Sequence, residues 1–199
     1  MKNTILLTIG ALLLTLLSGC ATNSYQPDHR LTIKTSIAEL DNWKINAKLG
    51  IQTATDAQSI YINWQQQSDK YQLRLNGPLG FGSVYIVGDS NQAEIKKGNQ
   101  RITTNPQQLT MQLTGIPVPI TALNWWVKGL LSPDYTATQI KRAPTGKLDS
   151  FIQAGWQISI LSYVQKENYW MPKKISGRQG KLSFKLIISD WDFSEKAAE

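Results

Sequence analysis

The stretch Trp43-Lys44-Ile45-Asn46-Ala47-Lys48-Leu49-Gly50-Ile51 alternates apolar and polar side chains, and that alternation decides the fold class. In an extended chain successive side chains point to opposite faces. Trp43, Ile45, Ala47, Leu49 and Ile51 therefore share one side, and Lys44, Asn46 and Lys48 the other. Working outward, the same period recurs at Ile60, Ile62 and Trp64, and at Tyr71, Leu73 and Leu75. It returns at Trp156, Ile158 and Ile160, and at Leu182, Phe184, Leu186 and Ile188. Each run predicts a strand with one buried and one wet face. Ser68-Asp69, Gly88-Asp89, Gly98-Asn99, Gly177 and Gly180 are read as the turns between strands. Such short spacing favours antiparallel hairpins, so the expected sheet is a meander that curls over its own apolar face.

Three stretches break the alternation. Residues 35–41 read as a short helix leading into the first strand. Residues 107–113 read as a helix with Pro106 in its first turn and Gly115 just past its end. Residues 119–127 read as another, opened by Pro119 and closed by Gly129. This last helix carries Ile120, Leu123, Trp125, Trp126 and Val127, too apolar a set to sit on a surface alone. The open side of a half-closed barrel is the natural place for it. The expected fold is mainly β with small helices: an incomplete antiparallel β-barrel of about ten or eleven strands, covered by a helical lid. A barrel of this kind either fills with side chains or leaves an apolar cavity.

The N-terminus has a different character. Lys2 precedes an apolar run from Ile5 to Leu17. As a helix this run is roughly 20 Å long, against about 30 Å for a hydrocarbon core. It has the layout of a secretory signal rather than a membrane span. The run ends in Leu17-Ser18-Gly19-Cys20, a lipobox pattern. Residues 1–19 are thus expected to be a lipoprotein signal peptide, with Cys20 taking the lipid and becoming the new N-terminus. Cys20 is the sole cysteine, so no disulfide framework exists, and acylation would remove a free thiol. Ala21, where Asp would favour inner-membrane retention, points to the outer membrane. Residues 20–34 are polar, contain Pro27 and read as a tether; residues 35–199 form the domain.

The net charge of +7 over 199 residues is spread along the chain rather than gathered in a stripe. Nucleic-acid binding is not expected; the two open readings are attraction to an acidic protein or anionic lipid, and a basic surface that is simply solvated. His29 is the sole histidine and lies in the tether. Nucleophilic catalysis through histidine and His/Cys metal sites are therefore not expected. Asp190 and Asp192 flank Trp191 at a strand end, and no glycine-rich phosphate loop is present. The reading is of a protein that is not an enzyme and needs neither cofactor nor metal.

Several segments fall in an order that resembles the LolB family, the outer-membrane receptors of the lipoprotein localisation system. They are Trp43, Trp64-Gln65-Gln66, Gly77-Pro78-Leu79-Gly80, residues 113–120 (LTGIPVPI), Leu123 to Gly129, Gly155-Trp156 with Tyr163, Met171-Pro172, and Lys185-Leu186 with Trp191. The resemblance spans about residues 40–191. It implies a half-open barrel whose cavity holds the acyl chains of other lipoproteins. These are received from the periplasmic carrier LolA and inserted into the phospholipid inner leaflet of the outer membrane, by a protein expected to be a monomer. It also implies an exposed leucine on a protruding loop, matched here by Leu79 between Pro78 and Gly80, with Phe81 following. The inward positions Trp43, Ile45, Leu49, Ile62, Trp64, Leu73, Leu75, Leu123, Trp126, Trp156, Ile158, Phe184 and Leu186 are the candidate cavity lining. Two rival readings are an outer-membrane assembly scaffold without a cavity and a carrier of another amphiphile such as a glycolipid.

Overall fold

The computed structural model describes residues 36–77 and 83–193. Cys20, the tether and the loop residues Pro78, Leu79, Gly80 and Phe81 lie outside the described residues. A single 3-10 turn, Ile37–Glu39, is capped by Ser36, whose hydroxyl accepts from the Ala38 amide. It takes the place of the expected short helix and leads directly into the sheet.

Eleven antiparallel strands form one sheet among the described residues. The first six are β1 (Asn42–Gln52), β2 (Ala57–Gln67), β3 (Lys70–Asn76), β4 (Ser83–Gly88), β5 (Ala93–Lys97) and β6 (Gln100–Thr104). After two helices come β7 (Ala137–Arg142), β8 (Leu148–Gln153), β9 (Trp156–Lys166), β10 (Tyr169–Gln179) and β11 (Leu182–Asp192). The spatial order is β6-β5-β4-β3-β2-β1-β11-β10-β9-β8-β7. The sheet is thus two meanders rather than one. The last strand returns to pair with the first, Leu49 facing Leu186 and Ile45 facing Trp191. The free edges are β6 and β7, and the helical connection runs from one to the other. That is what leaves the barrel incomplete.

The two helices are α1 (Pro106–Thr114) and α2 (Ile120–Val127). Asn105 caps α1, its side chain accepting from the Gln108 amide at 2.8 Å, and Pro106 occupies the first turn where an N–H is not needed. Gly115 ends it in the left-handed conformation. The α2 helix begins after Pro119 and ends at Lys128.

One turn assignment is corrected. Gly177 lies inside β10, paired with Phe184 of β11. A Cβ at Gly177 would overlap the Phe184 ring. The glycine is there because an aromatic ring occupies the space above it, not because the chain reverses. Pro172 also sits within β10, where a register irregularity removes the need for its missing N–H.

Alternation translates directly into burial. Trp43, Ile45, Ala47 and Ile51 of β1 are buried, as are Tyr71, Leu73 and Leu75 of β3 and Phe184, Leu186 and Ile188 of β11. Their inward faces and the helices form one core cluster. Its aromatic spine is Trp43, with ring centroids 5.0 Å from Trp64 and 5.5 Å from Trp191.

Candidate functional site

Between the sheet and the helical connection lies an apolar cavity of about 60 Å³. The sheet supplies Ile45 and Leu49 from β1, Ile62 and Trp64 from β2, and Phe184 and Leu186 from β11. The connection supplies Thr110, Ile116, Val118 and Leu123. The pairing explains the convergence. Register sets Ile45 opposite Trp64, Ala47 opposite Ile62 and Leu49 opposite Leu186, so the inward residues of three adjacent strands share one floor. Thr110 is the one hydroxyl in the wall, and it is turned away by donating to the Val118 carbonyl at 2.7 Å.

Of the candidate lining residues, Ile45, Leu49, Ile62, Trp64, Leu123, Phe184 and Leu186 border this cavity. The others are buried elsewhere. Trp43 is held in the spine between Trp64 and Trp191. Leu73, Leu75 and Ile158 pack into strands to either side. Trp156 packs against Phe184 in a tilted pair, centroids 5.4 Å apart, with its indole N–H directed to the Pro117 carbonyl at 3.4 Å. Trp126 faces Phe151 on β8 at 6.2 Å.

The roof is pinned at one end by a group that pattern reading passes over. Gln153, at the end of β8, is 1% exposed. Its Oε1 accepts from Trp126 Nε1 at 2.8 Å and from the Ser132 amide at 2.9 Å. Its Nε2 donates to the Ser132 and Tyr135 carbonyls at 2.8 and 2.6 Å. Every polar group of this buried amide is therefore used, as burial requires. Lys128, 4% exposed, adds a second pin: Nζ donates to the Leu40 carbonyl at 3.3 Å and lies 4.6 Å from the Trp125 ring centre. Desolvation pulls the Lys128 pKa below the ordinary lysine value, and Asp41 opposes that shift. A glutamine at a strand end gives no periodic signal. A lysine just after an apolar helix does, as a cation placed at the helix C-terminus.

The other end of the roof is held differently. Leu109 of α1 is buried at 1% exposure, but Met111 on the same helix is 53% exposed. The helix α2 packs against α1 and against β10. The arrangement is therefore a C-terminal half pinned by the buried Gln153 and Lys128, and a half held by apolar contacts together with the Thr110–Val118 bond and the long Trp156–Pro117 bond. No group of three or more His, Cys, Asp or Glu side chains able to hold a metal occurs among the described residues.

A family model described as "Outer membrane lipoprotein LolB" matches residues 41–191. The outer-membrane lipoprotein LolB of Pseudomonas syringae pv. syringae is 33% identical over 189 residues, covering 90% of this chain and 92% of its own length. That of Pseudomonas putida is 32% identical over the same coverage. Among solved structures, a putative outer membrane lipoprotein-sorting protein domain from Vibrio parahaemolyticus superposes with a TM-score of 0.57 at 7% identity, covering 80% of this chain and 88% of its own. A LolA superfamily protein from Nitrosomonas europaea gives 0.57 at 9% identity, with 80% and 89% covered. At such identities these two structures bear on the fold alone.

Proposed function

The chain belongs to the LolB family of outer-membrane lipoproteins, and from that premise we propose that it accepts lipoproteins from the carrier LolA and inserts them into the inner leaflet of the outer membrane. The observation that supports this reading best is the cavity walled by Ile45, Leu49, Ile62, Leu123 and Leu186, with its one hydroxyl already satisfied. A lining of that kind suits acyl chains and nothing polar.

The physics sets how transfer proceeds. Burying one methylene is worth about 0.8 kcal/mol, so releasing a sixteen-carbon chain into water costs on the order of 10 kcal/mol. Cargo therefore passes from carrier cavity to receptor cavity to bilayer without a free intermediate. Direction comes from differential affinity, each acceptor binding the chains more favourably than the donor before it. Neither nucleotide nor metal is needed for that.

A cavity of about 60 Å³ lies well below the roughly 300 Å³ at which ligand pockets begin. In this reading the described conformation is the closed one, and the roof moves to admit a chain. The α2 end is fixed through Gln153 and Lys128, whereas the α1 side is tied to the sheet by the long 3.4 Å Trp156–Pro117 bond, so the opening occurs on the α1 side. Cys20 anchors the protein, and Leu79, between Pro78 and Gly80 and ahead of Phe81, enters the leaflet during delivery.

Binding of a fluorescent sixteen-carbon fatty acid tests the cavity. Saturable binding by the folded chain, abolished by Leu123→Asp with the circular dichroism spectrum retained, is the expected result. A folded chain that binds no probe contradicts the cavity reading.

A further inference from the structure

The outer face of the sheet, across the strands from the apolar cavity, carries a groove of about 720 Å³. Strand register lays it out. Lys185 of β11 pairs with Gly50 of β1 on one side and Ser176 of β10 on the other, and Ser176 pairs with Ser159 of β9. In the next row Ser183 pairs with Arg178, and Arg178 with Gln157. All of these residues line the groove. Ser183 and Lys185 flank the buried Phe184, so they point to the side opposite the core.

The groove offers cations and hydrogen-bond donors and no acid. Arg178 and Lys185 are exposed, and no Asp or Glu is among the residues that line it. Asp56, in the adjoining β1–β2 turn, is engaged by its own chain, accepting from the Ala57 amide at 2.8 Å. Neither cation is in an ion pair among the described residues. The two are diagonal neighbours on paired strands, about 7–8 Å apart at the backbone and within reach of one another through long side chains. So placed they repel, and an anion between them removes the repulsion. Arginine offers a planar fork of N–H donors that fits phosphate, lysine a compact charge, and the serine hydroxyls and the Gln157 amide further donors. That is the chemistry of a phosphate diester.

The place of the groove in the fold says which phosphate. In a meander the turns alternate between the two ends of the sheet, and the β1–β2 and β10–β11 turns adjoin the groove. The β3–β4 connection is at the same end, because Asn76, the last residue of β3, pairs with Tyr61, two residues from Ser59 in the groove wall. At the opposite end Asp41, Asp69, Asp89 and Asp134 share one cleft. Charge is thus divided along the strands, and an anionic surface draws the groove end towards itself. We infer that the groove binds the phosphate headgroup of an anionic phospholipid and seats this end of the sheet on the bilayer. This rests on the proposed delivery of cargo to a bilayer, in which Leu79 of the β3–β4 connection enters the leaflet, and it names the lipid that the delivering end meets.

The test is flotation of the folded chain carrying Cys20→Ala with two kinds of vesicle, at low ionic strength and without carrier or cargo. One is phosphatidylcholine alone, the other phosphatidylcholine mixed equally with phosphatidylglycerol. The expected result is tighter binding to the mixed vesicles. Arg178→Gln/Lys185→Gln should weaken that binding about thirtyfold, roughly the effect of taking two cations from an anionic surface. Ser176→Asp should weaken it too, since it supplies an anion beside the two cations from within the chain. Lys44→Gln/Lys70→Gln removes the same charge at the acidic end and should leave the lipid preference in place. None of these side chains is buried, so the fold should persist, which the circular dichroism spectrum verifies. Equal binding of the parent to both kinds of vesicle overturns the assignment. So does an Arg178/Lys185 or Ser176 variant that binds as the parent does, or a Lys44/Lys70 variant that loses as much. If label still passes from carrier to liposomes in any of those cases, the headgroup site fails and the delivery reading stands.

Discussion

The ring of Phe184 on β11 lies over Gly177 on β10, directly across the strand pair, and occupies the space a Cβ would take. The same ring borders the apolar cavity and packs, tilted, against Trp156. Glycine at 177 is thus the condition for an aromatic floor. Gly177→Ala should destabilise the protein by about 1–3 kcal/mol, the usual cost of overpacking a core. Combined with Phe184→Leu, the loss should be smaller than the sum of the single losses, with a coupling of about 0.5–3 kcal/mol. Denaturant unfolding of the two single variants and the double measures this, and strict additivity would mean the ring does not fix the glycine.

Gln153 joins β8 to the roof through four hydrogen bonds. Gln153→Leu keeps the volume but strands Trp126 Nε1 and three backbone groups. With about 1–3 kcal/mol for each buried group left unsatisfied, the expected loss is about 3 kcal/mol or more. Amide exchange should quicken at Ser132, while the β1–β11 pairing keeps its protection. Uniform acceleration across the sheet would indicate a general rather than a local role.

How far the sequence could be read depends on which strands have a covered face. The strands β1, β3 and β11 alternate cleanly because one side meets the core and the other meets water. The two edge strands left no such pattern. Gln100 to Thr103 of β6 and Thr138 to Arg142 of β7 are exposed, so nothing in their burial selects one residue type over another. The pairing of β11 with β1 was equally illegible, since it joins strands about 140 residues apart. Cavity membership was half legible for a related reason. Periodicity shows that Trp43 and Ile45 both face inward, but not that Ile45 faces the cavity while Trp43 is enclosed between Trp64 and Trp191. Gln153 was invisible because its role comes from partners on the far side of the roof.

Two tyrosines carry a pH dependence. Burial, followed by the charge of Asp89, pushes the Tyr71 phenol up from 10.0 to about 12. Burial likewise raises Tyr163 to about 12, where Arg142 opposes the shift and Asp149 adds to it. Because the folded values are raised, the stability they contribute is fully present below pH 10 and is lost as pH rises from 10 towards 12. Absorbance titration near 295 nm should show two tyrosines still protonated at pH 11 in the folded chain. Denaturant midpoints should fall over the same interval. Ionisation of every tyrosine near pH 10 without unfolding would contradict the burial of these two hydroxyls.

Lys48, Arg74 and Lys185 are exposed on strands β1, β3 and β11. If the carrier docks through charge complementarity, reversing all three to Glu should slow transfer from it. The effect should be larger at low salt than at high salt, because exposed charges are screened beyond about 10 Å at 0.1 M. Equal slowing at both salt concentrations would exclude electrostatic docking through these residues.

The central claim is that this chain receives lipoproteins and delivers them to a bilayer. The most direct measurement mixes chain carrying Cys20→Ala with LolA loaded with a labelled lipoprotein, then adds liposomes, with Leu79→Glu run in parallel. The account predicts that label moves to both forms, and that only the form with Leu79 intact passes it on to the liposomes. Label that stays on LolA while the chain is folded would contradict the account.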